Sequence, residues 1–102
     1  MSVNETVRRN MTDDPPPHGL PEGWSYSGAS ITRTFHFATF SEAFGFMTRC
    51  ARLAEQLNLH PDWSNSYSVV TVSLSTHDLG AVTALDLQFA EQMNDLVDAS
   101  GD

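Results

Sequence analysis

NLHPDWSNSYSVVTVSLSTHDLGAVTALD, residues 58–86, contains the turning points of the chain. Residues 66–76 read as its clearest strand: Val70, Val72 and Leu74 alternate with Thr71, Ser73 and Ser75. A period of two with β-branched residues marks a strand buried on one face. Continued regularly, it carries His77 onto the face of Tyr67, Val69 and Thr71. Gly80 then supplies a turn. Thr83-Ala-Leu-Asp86 resembles a capping box with Asp in the Glu place, so a helix begins there. On the upstream side, Pro61 biases His60 away from helical backbone. Residues 58–65 therefore read as a loop, with Trp63 packing it onto the body.

Outward from this stretch the elements follow in order. Thr39-Phe-Ser-Glu42 fits a capping box in which Glu42 reaches back to the Thr39 amide, with Ser41 a competing cap. The helix it opens runs to about Leu57. Phe40, Phe44, Met47, Ala51 and Ala54 form one apolar stripe, and Phe46, Cys50, Leu53 and Leu57 a second. Such a wide face suits a helix packed on a sheet and on another subunit. Gly45 costs this helix up to about 1 kcal/mol relative to Ala. Before it, residues 24–37 read as a hairpin turning at Gly28 and Ser30. Ile31, Arg33, Phe35 and Phe37 share one face, and Thr32, Thr34 and His36 the other. His36 reads as a structural sheet-face residue rather than a ligand. In the last helix, Leu85, Phe89, Met93 and Leu96 form the stripe expected to be buried.

The order strand, strand, helix, strand, helix, with room for a further strand around residues 64–68, implies an α+β domain. Its antiparallel sheet carries the helices on one face. One such domain is expected over residues 22–98. Residues 1–21 are polar, contain Pro15-Pro16-Pro17, and read as a disordered tail, with at most a short helix over residues 5–11. Residues 99–102 read as a flexible end.

Composition narrows the function. The chain has 102 residues and a formal net charge of −8, from 13 acidic and 5 basic residues. That balance is unsuited to neutralising phosphates, which argues against direct nucleic-acid binding. The sequence has neither a bilayer-length apolar run nor a signal-peptide pattern, so a soluble cytoplasmic protein without membrane contact is expected. A single cysteine, Cys50, excludes an intrachain disulfide and a Cys-based zinc site. The remaining chemistry lies in two imidazoles at element ends, His60 and His77. Histidine suits proton transfer because its unperturbed pKa lies near neutrality.

These residues carry a resemblance. Glu55, the run LHPDW, the Tyr67 region, LSTHD and Asp86, with TFHFATFSEAFGFMTRCARLAEQLN upstream, resemble the pterin-4a-carbinolamine dehydratase family over about three quarters of the chain. The resemblance implies a four-stranded antiparallel sheet with helices on one face. It also implies dehydration of a 4a-hydroxytetrahydropterin to the quinonoid dihydropterin, recycling the tetrahydrobiopterin-type cofactor of aromatic amino-acid hydroxylases. No metal and no cofactor is required. His60, His77 and Asp86 match the catalytic positions, Asp86 either in proton transfer or as a capping and orienting group. Glu55, Leu59, Pro61, Ser75, Thr76 and Asp78 match positions along the pterin. A homodimer or homotetramer is implied.

One position departs from the family pattern: Leu59 stands where the first of two adjacent histidines is usual. Leucine cannot transfer a proton. An alternative follows, in which the chain is a weak or inactive member that binds a protein partner, as transcriptional coactivators and Rubisco assembly factors of this family do. A site filled by Leu59 would favour that alternative.

Overall fold

A computed structural model describes residues 19–76 and 78–99. The expected tail falls on residues 1–18 for most of its length, and the expected helix over residues 5–11 falls there entirely. Both lie outside the described residues, as do residues 100–102. Leu20 already packs against the core.

The first hairpin pairs β1 (Ser25–Ser27) with β2 (Ser30–His36), Ser27 opposite Ser30. Gly28 occupies the first loop position with φ +65°, the left-handed backbone that two-residue hairpin turns require. Helix α1 (Phe40–Leu57) follows. Thr39 caps it: its side-chain hydroxyl accepts from the Glu42 amide at 3.1 Å. Glu42 Oε1 accepts from the Ala38 amide at 3.3 Å, one residue before the amide expected from the pattern.

The helix ends at Asn58, which adopts left-handed backbone with φ +54°, while the Leu59 amide donates to the Ala54 carbonyl at 3.0 Å. Asparagine tolerates this conformation, and such a residue commonly ends a helix. Termination thus precedes Pro61 by three residues.

Residues 58–65 are not all loop. β3 (Asp62–Ser66) is a strand, antiparallel to β4 (Val69–Leu74). DWSNS lacks apolar alternation because β3 is an edge strand, with only Trp63 and Asn65 turned toward the interior. The expected strand over residues 66–76 is correspondingly shorter. Tyr67 and Ser68 form its turn, Tyr67 at φ +55°, and regular pairing stops at Leu74. Asn65 Nδ2 steadies that turn by donating to the Tyr67 and Val69 carbonyls, each at 3.0 Å.

Strand order is β1-β2-β4-β3, antiparallel throughout. The chain closes with α2 (Ala84–Ala99). This is the α+β architecture expected, with four strands and two helices among the described residues. Ile31, Phe35, Val70, Val72 and Leu74 meet Phe46, Cys50 and Ala54 of α1 and Phe89 and Met93 of α2 in one core. The Phe35 and Phe46 rings meet at a tilt of 43°, with 4.7 Å between centroids.

Two expected stripes differ. Phe40 and Phe44 are about half exposed and pack on one another, at 5.8 Å. Ala51 is exposed too, while Ala54 is buried as expected and Ala43, outside both stripes, joins it on the buried face. On α2, Leu85 is exposed, and Asp86, Phe89, Ala90 and Met93 form the buried side. Phe89 and Met93 are buried as expected and Leu96 packs against the core; only at the first position does Asp86, held by its hydrogen bonds, turn inward in place of Leu85.

A polar lock ties the entry of the chain to α2. Asn94 Oδ1 accepts from Trp24 Nε1 at 3.1 Å and from Arg33 Nη1, while Asn94 Nδ2 donates to the Glu22 carbonyl at 3.0 Å. The Arg33 guanidinium also lies 4.3 Å from the Phe35 ring centroid. Gly23 has φ +87°, and a Cβ there would meet Arg33 Nε at 2.7 Å.

Candidate functional site

The strand register gathers much of the motif at one end of the sheet. Asp62 pairs with Ser73, and Ile31 with Leu74. Residues 59–61, just before β3, and residues 75 and 76, just after β4, therefore emerge from the same sheet end. The left-handed Asn58 turns the chain out of α1 toward this end. Successive residues then separate: Leu59 enters the core with 7% exposure, while the His60 side chain is 69% exposed. His60 Nε2 lies 4.0 Å from Glu55 Oε2, itself on the exposed side of the last turn of α1. At that distance and exposure, the pair is a solvent-screened contact. Pro61 is half-buried.

Beyond β4 the chain makes a tight turn. The Thr76 amide donates to the Ala81 carbonyl at 2.8 Å, and the Thr76 carbonyl accepts from the amides of Leu79 (3.1 Å) and Gly80 (2.9 Å). Gly80 takes φ +58°, the conformation that closes the turn. Ser75 and Thr76 are half-buried, and Asp78 is exposed. His77 lies outside the described residues, and with it the expectations of its strand face and catalytic role.

Asp86, in the first turn of α2, is fully buried. Its Oδ2 accepts from the Thr83 amide at 2.8 Å and from Thr76 Oγ1 at 2.9 Å; Thr83 Oγ1 lies 3.4 Å away. The two threonine hydroxyls are 2.8 Å apart. The helix N-terminus adds a favourable field for a carboxylate. Asp86 thereby joins the start of the turn to the start of α2. Sequence reading recognises the Thr83–Asp86 cap. It misses the link to Thr76, ten residues before Asp86, because the link exists only once the turn has folded back.

A cleft of about 540 Å³ lies at the other end of the sheet, where His36 pairs with Val69. His36, Phe37, Glu42, Gly45 and Arg49 line it, and it contains none of the motif residues. At the motif end, His60 Nε2 lies 4.0 Å from Glu55 Oε2, and Thr76 Oγ1 lies 2.9 Å from Asp86 Oδ2, two separate contacts on backbone held by strand pairing. Glu42 in the cleft is engaged in capping α1.

Other chemistries find little support. Burial pushes the Cys50 thiol up to about 12, against the lowering effect of Arg49, so it is a poor nucleophile. Among the described residues there is no cluster of three or more His, Cys, Asp or Glu able to hold a metal ion. No helix there is long and apolar enough to cross a membrane.

Comparison with known proteins identifies the relatives of this arrangement. A family profile described as Pterin 4 alpha carbinolamine dehydratase matches residues 5–96. A Mesorhizobium japonicum protein assigned to that family is 59% identical over 92 residues, covering 86% of this chain and 94% of its own. A Prochlorococcus marinus (strain MIT 9312) protein of the same assignment is 49% identical over 76 residues, covering 74% and 79%. Among solved structures, a transcriptional coactivator/pterin dehydratase from Brucella melitensis superposes with a TM-score of 0.72 at 36% identity, over 93% of this chain and 95% of the other. A pterin dehydratase-like Rubisco assembly factor of the α-carboxysome superposes with a TM-score of 0.59 at 20% identity, over 72% and 84%, a likeness of fold alone.

Proposed function

Since the chain belongs to the pterin-4α-carbinolamine dehydratase family, we propose that it dehydrates a 4a-hydroxytetrahydropterin to the quinonoid dihydropterin. The reaction breaks the C4a–O bond. An acid gives its proton to the departing hydroxide, a base takes the N5 proton, and the N5 lone pair closes the new C4a–N5 double bond. Water leaves, and the proton count balances. Two groups titrating near neutrality suffice, each contributing about 10²–10⁴ in rate. His60 and His77 fill these roles. Glu55, Pro61, Ser75 and Asp78 flank the pterin, and Asp86 holds the backbone behind them. The product re-enters the cofactor cycle of aromatic amino-acid hydroxylases in the cytoplasm.

The observation that carries this reading is the gathering of residues 59–61 with residues 75 and 76 at one sheet end. It supports a single ligand spanning both halves of the motif. The half-exposed Phe40 and Phe44 on α1 support a homodimer or homotetramer.

A second reading has its own observation. Leu59 is packed in the core, so the position the family motif gives to a histidine presents no proton carrier. A rate lower by about 10²–10⁴ would follow, leaving a pterin-binding or protein-binding role such as transcriptional coactivation or Rubisco assembly. The deciding experiment follows the dehydration of freshly generated 4a-hydroxytetrahydropterin by ultraviolet absorbance. Catalysis by wild type that His77→Ala abolishes supports the dehydratase. A wild-type rate equal to buffer rejects it and directs attention to protein partners.

A further inference from the structure

We infer that Thr83 and Asp86 form a positioning clamp that fixes the turn from Thr76 to Ala81 through the Thr76 hydroxyl, and that Thr76 itself does not bind the pterin through its side chain. It rests on the dehydratase reading for its kinetic consequence only.

Proton counting sets the direction of the network. Thr76 Oγ1 donates its single proton to Asp86 Oδ2, at 2.9 Å. The 2.8 Å contact between the two hydroxyls then requires Thr83 to donate to Thr76. The Thr83 proton is consequently directed at Thr76, the nearer acceptor, rather than at Asp86 Oδ2, 3.4 Å away. Asp86 accepts in addition from the Thr83 amide. The chain of donation runs Thr83 to Thr76 to Asp86 and fixes the Thr76 side-chain rotamer from both sides.

The backbone of Thr76 is also committed. Its amide donates to Ala81, and its carbonyl takes the Leu79 and Gly80 amides. With its hydroxyl proton directed at Asp86, Thr76 has no donor left for a ligand. It is the hub of the turn, and the residue it delivers next in the chain is His77. Ligand contacts at this end fall to Ser75 and Asp78. Thr83, which lies outside the motif positions, thus acts on the site through Thr76.

The test compares Thr83→Val and Thr83→Ser with wild type, using the full chain. Amide hydrogen exchange at Leu79 and Gly80 reports the turn; kcat and KM for dehydration report the chemistry. In Thr83→Val, exchange at both amides should accelerate at least about tenfold, the equivalent of one buried hydrogen bond. The same variant should lose about 10–10² in kcat, as a misplaced catalytic group does, with KM within about twofold. Thr83→Ser should restore both, which a loss of packing at the valine would not allow. Unchanged exchange overturns the clamp. Faster exchange with unchanged kcat overturns its link to the chemistry, and a raised KM with unchanged kcat makes Thr76 a ligand contact after all. If wild type does not dehydrate the substrate, the dehydratase reading fails, and the exchange rates alone decide the clamp.

Discussion

Replacing Leu59 by histidine restores the residue that the family resemblance implies, and the structure predicts that the protein resists it. Leu59 is 7% exposed and belongs to the core cluster. Burying a leucine side chain is worth about 1.5–3 kcal/mol. An imidazole recovers part of that by its own apolar surface, but a buried ring nitrogen without a partner costs about 1–3 kcal/mol. The net destabilisation of Leu59→His is therefore about 2–4 kcal/mol, or about 10–25 °C in Tm for a domain of this size. Leu59→Met, which conserves volume, should lose less than about 1.5 kcal/mol. The histidine variant carries a pH signature as well. Desolvation lowers the folded-state pKa of a buried imidazole below its unfolded value of about 6.5. The variant thus keeps its remaining stability above about pH 6.5 and loses more as pH falls through the folded pKa. Urea unfolding at pH 8 and pH 5.5 measures both effects. A Leu59→His protein within about 0.5 kcal/mol of wild type at both pH values refutes the core assignment. It would mean that position 59 opens onto the ligand, where a proton carrier is tolerated.

Three further outcomes are expected. Asn94→Ala removes acceptor and donor from Trp24, Arg33 and Glu22 together; it should lower stability by about 1–3 kcal/mol and shift Trp fluorescence, measured in parallel by thermal denaturation. Asn58→Gly should change stability by less than about 0.5 kcal/mol, because asparagine already tolerates φ +54° and glycine adds unfolded-state entropy, whereas Asn58→Ala should destabilise by about 1 kcal/mol, a comparison made by chemical denaturation. Cys50 has its folded pKa raised by burial from 9.0 to about 12, so its contribution to stability is complete below pH 9 and is lost as pH rises toward 12. Thiol labelling at pH 8 should accordingly be slow in native buffer and complete in denaturant, and rapid native labelling would contradict the burial.

The sheet and α1 are legible in the sequence where one face is wet and the other dry. Residues 31–37 and 69–74 alternate because their outer face meets no helix among the described residues, and pattern alone separates Ile31 and Phe35 from Thr32 and Thr34. β3 is not legible in that way. An edge strand needs only one or two inward residues, and Trp63 and Asn65 are too few to make a period. Backbone pairing with β4, a tertiary effect, decides it. The α2 stripe is legible at Phe89, Met93 and Leu96 and fails only at its first member. Apolar periodicity selects Leu85, but the hydrogen bonds of Asp86 with Thr76 and Thr83 hold that side chain inward. A buried polar group with specific partners outweighs one leucine, because leaving it unpaired inside would cost several kcal/mol.

The same asymmetry separates what the site reveals at each level. His60 and Pro61 are conspicuous as residues, since an imidazole before proline at a helix end has few purely structural uses. Their consequence depends on direction, which a motif does not contain: Leu59 turns in and His60 turns out across one peptide bond. The left-handed Asn58 sets that direction, through the Leu59 amide bonded back to Ala54. A dehydratase built on this turn must use an outward histidine reached from solvent, beside Glu55, rather than one sheltered between helix and sheet. An exposed side chain contributes little to the core, so His60→Ala should leave the unfolding transition nearly unchanged while lowering kcat by about 10²–10⁴, if His60 carries a proton in the reaction. A His60→Ala protein with wild-type kcat would remove His60 from the chemistry and leave His77 to act with water.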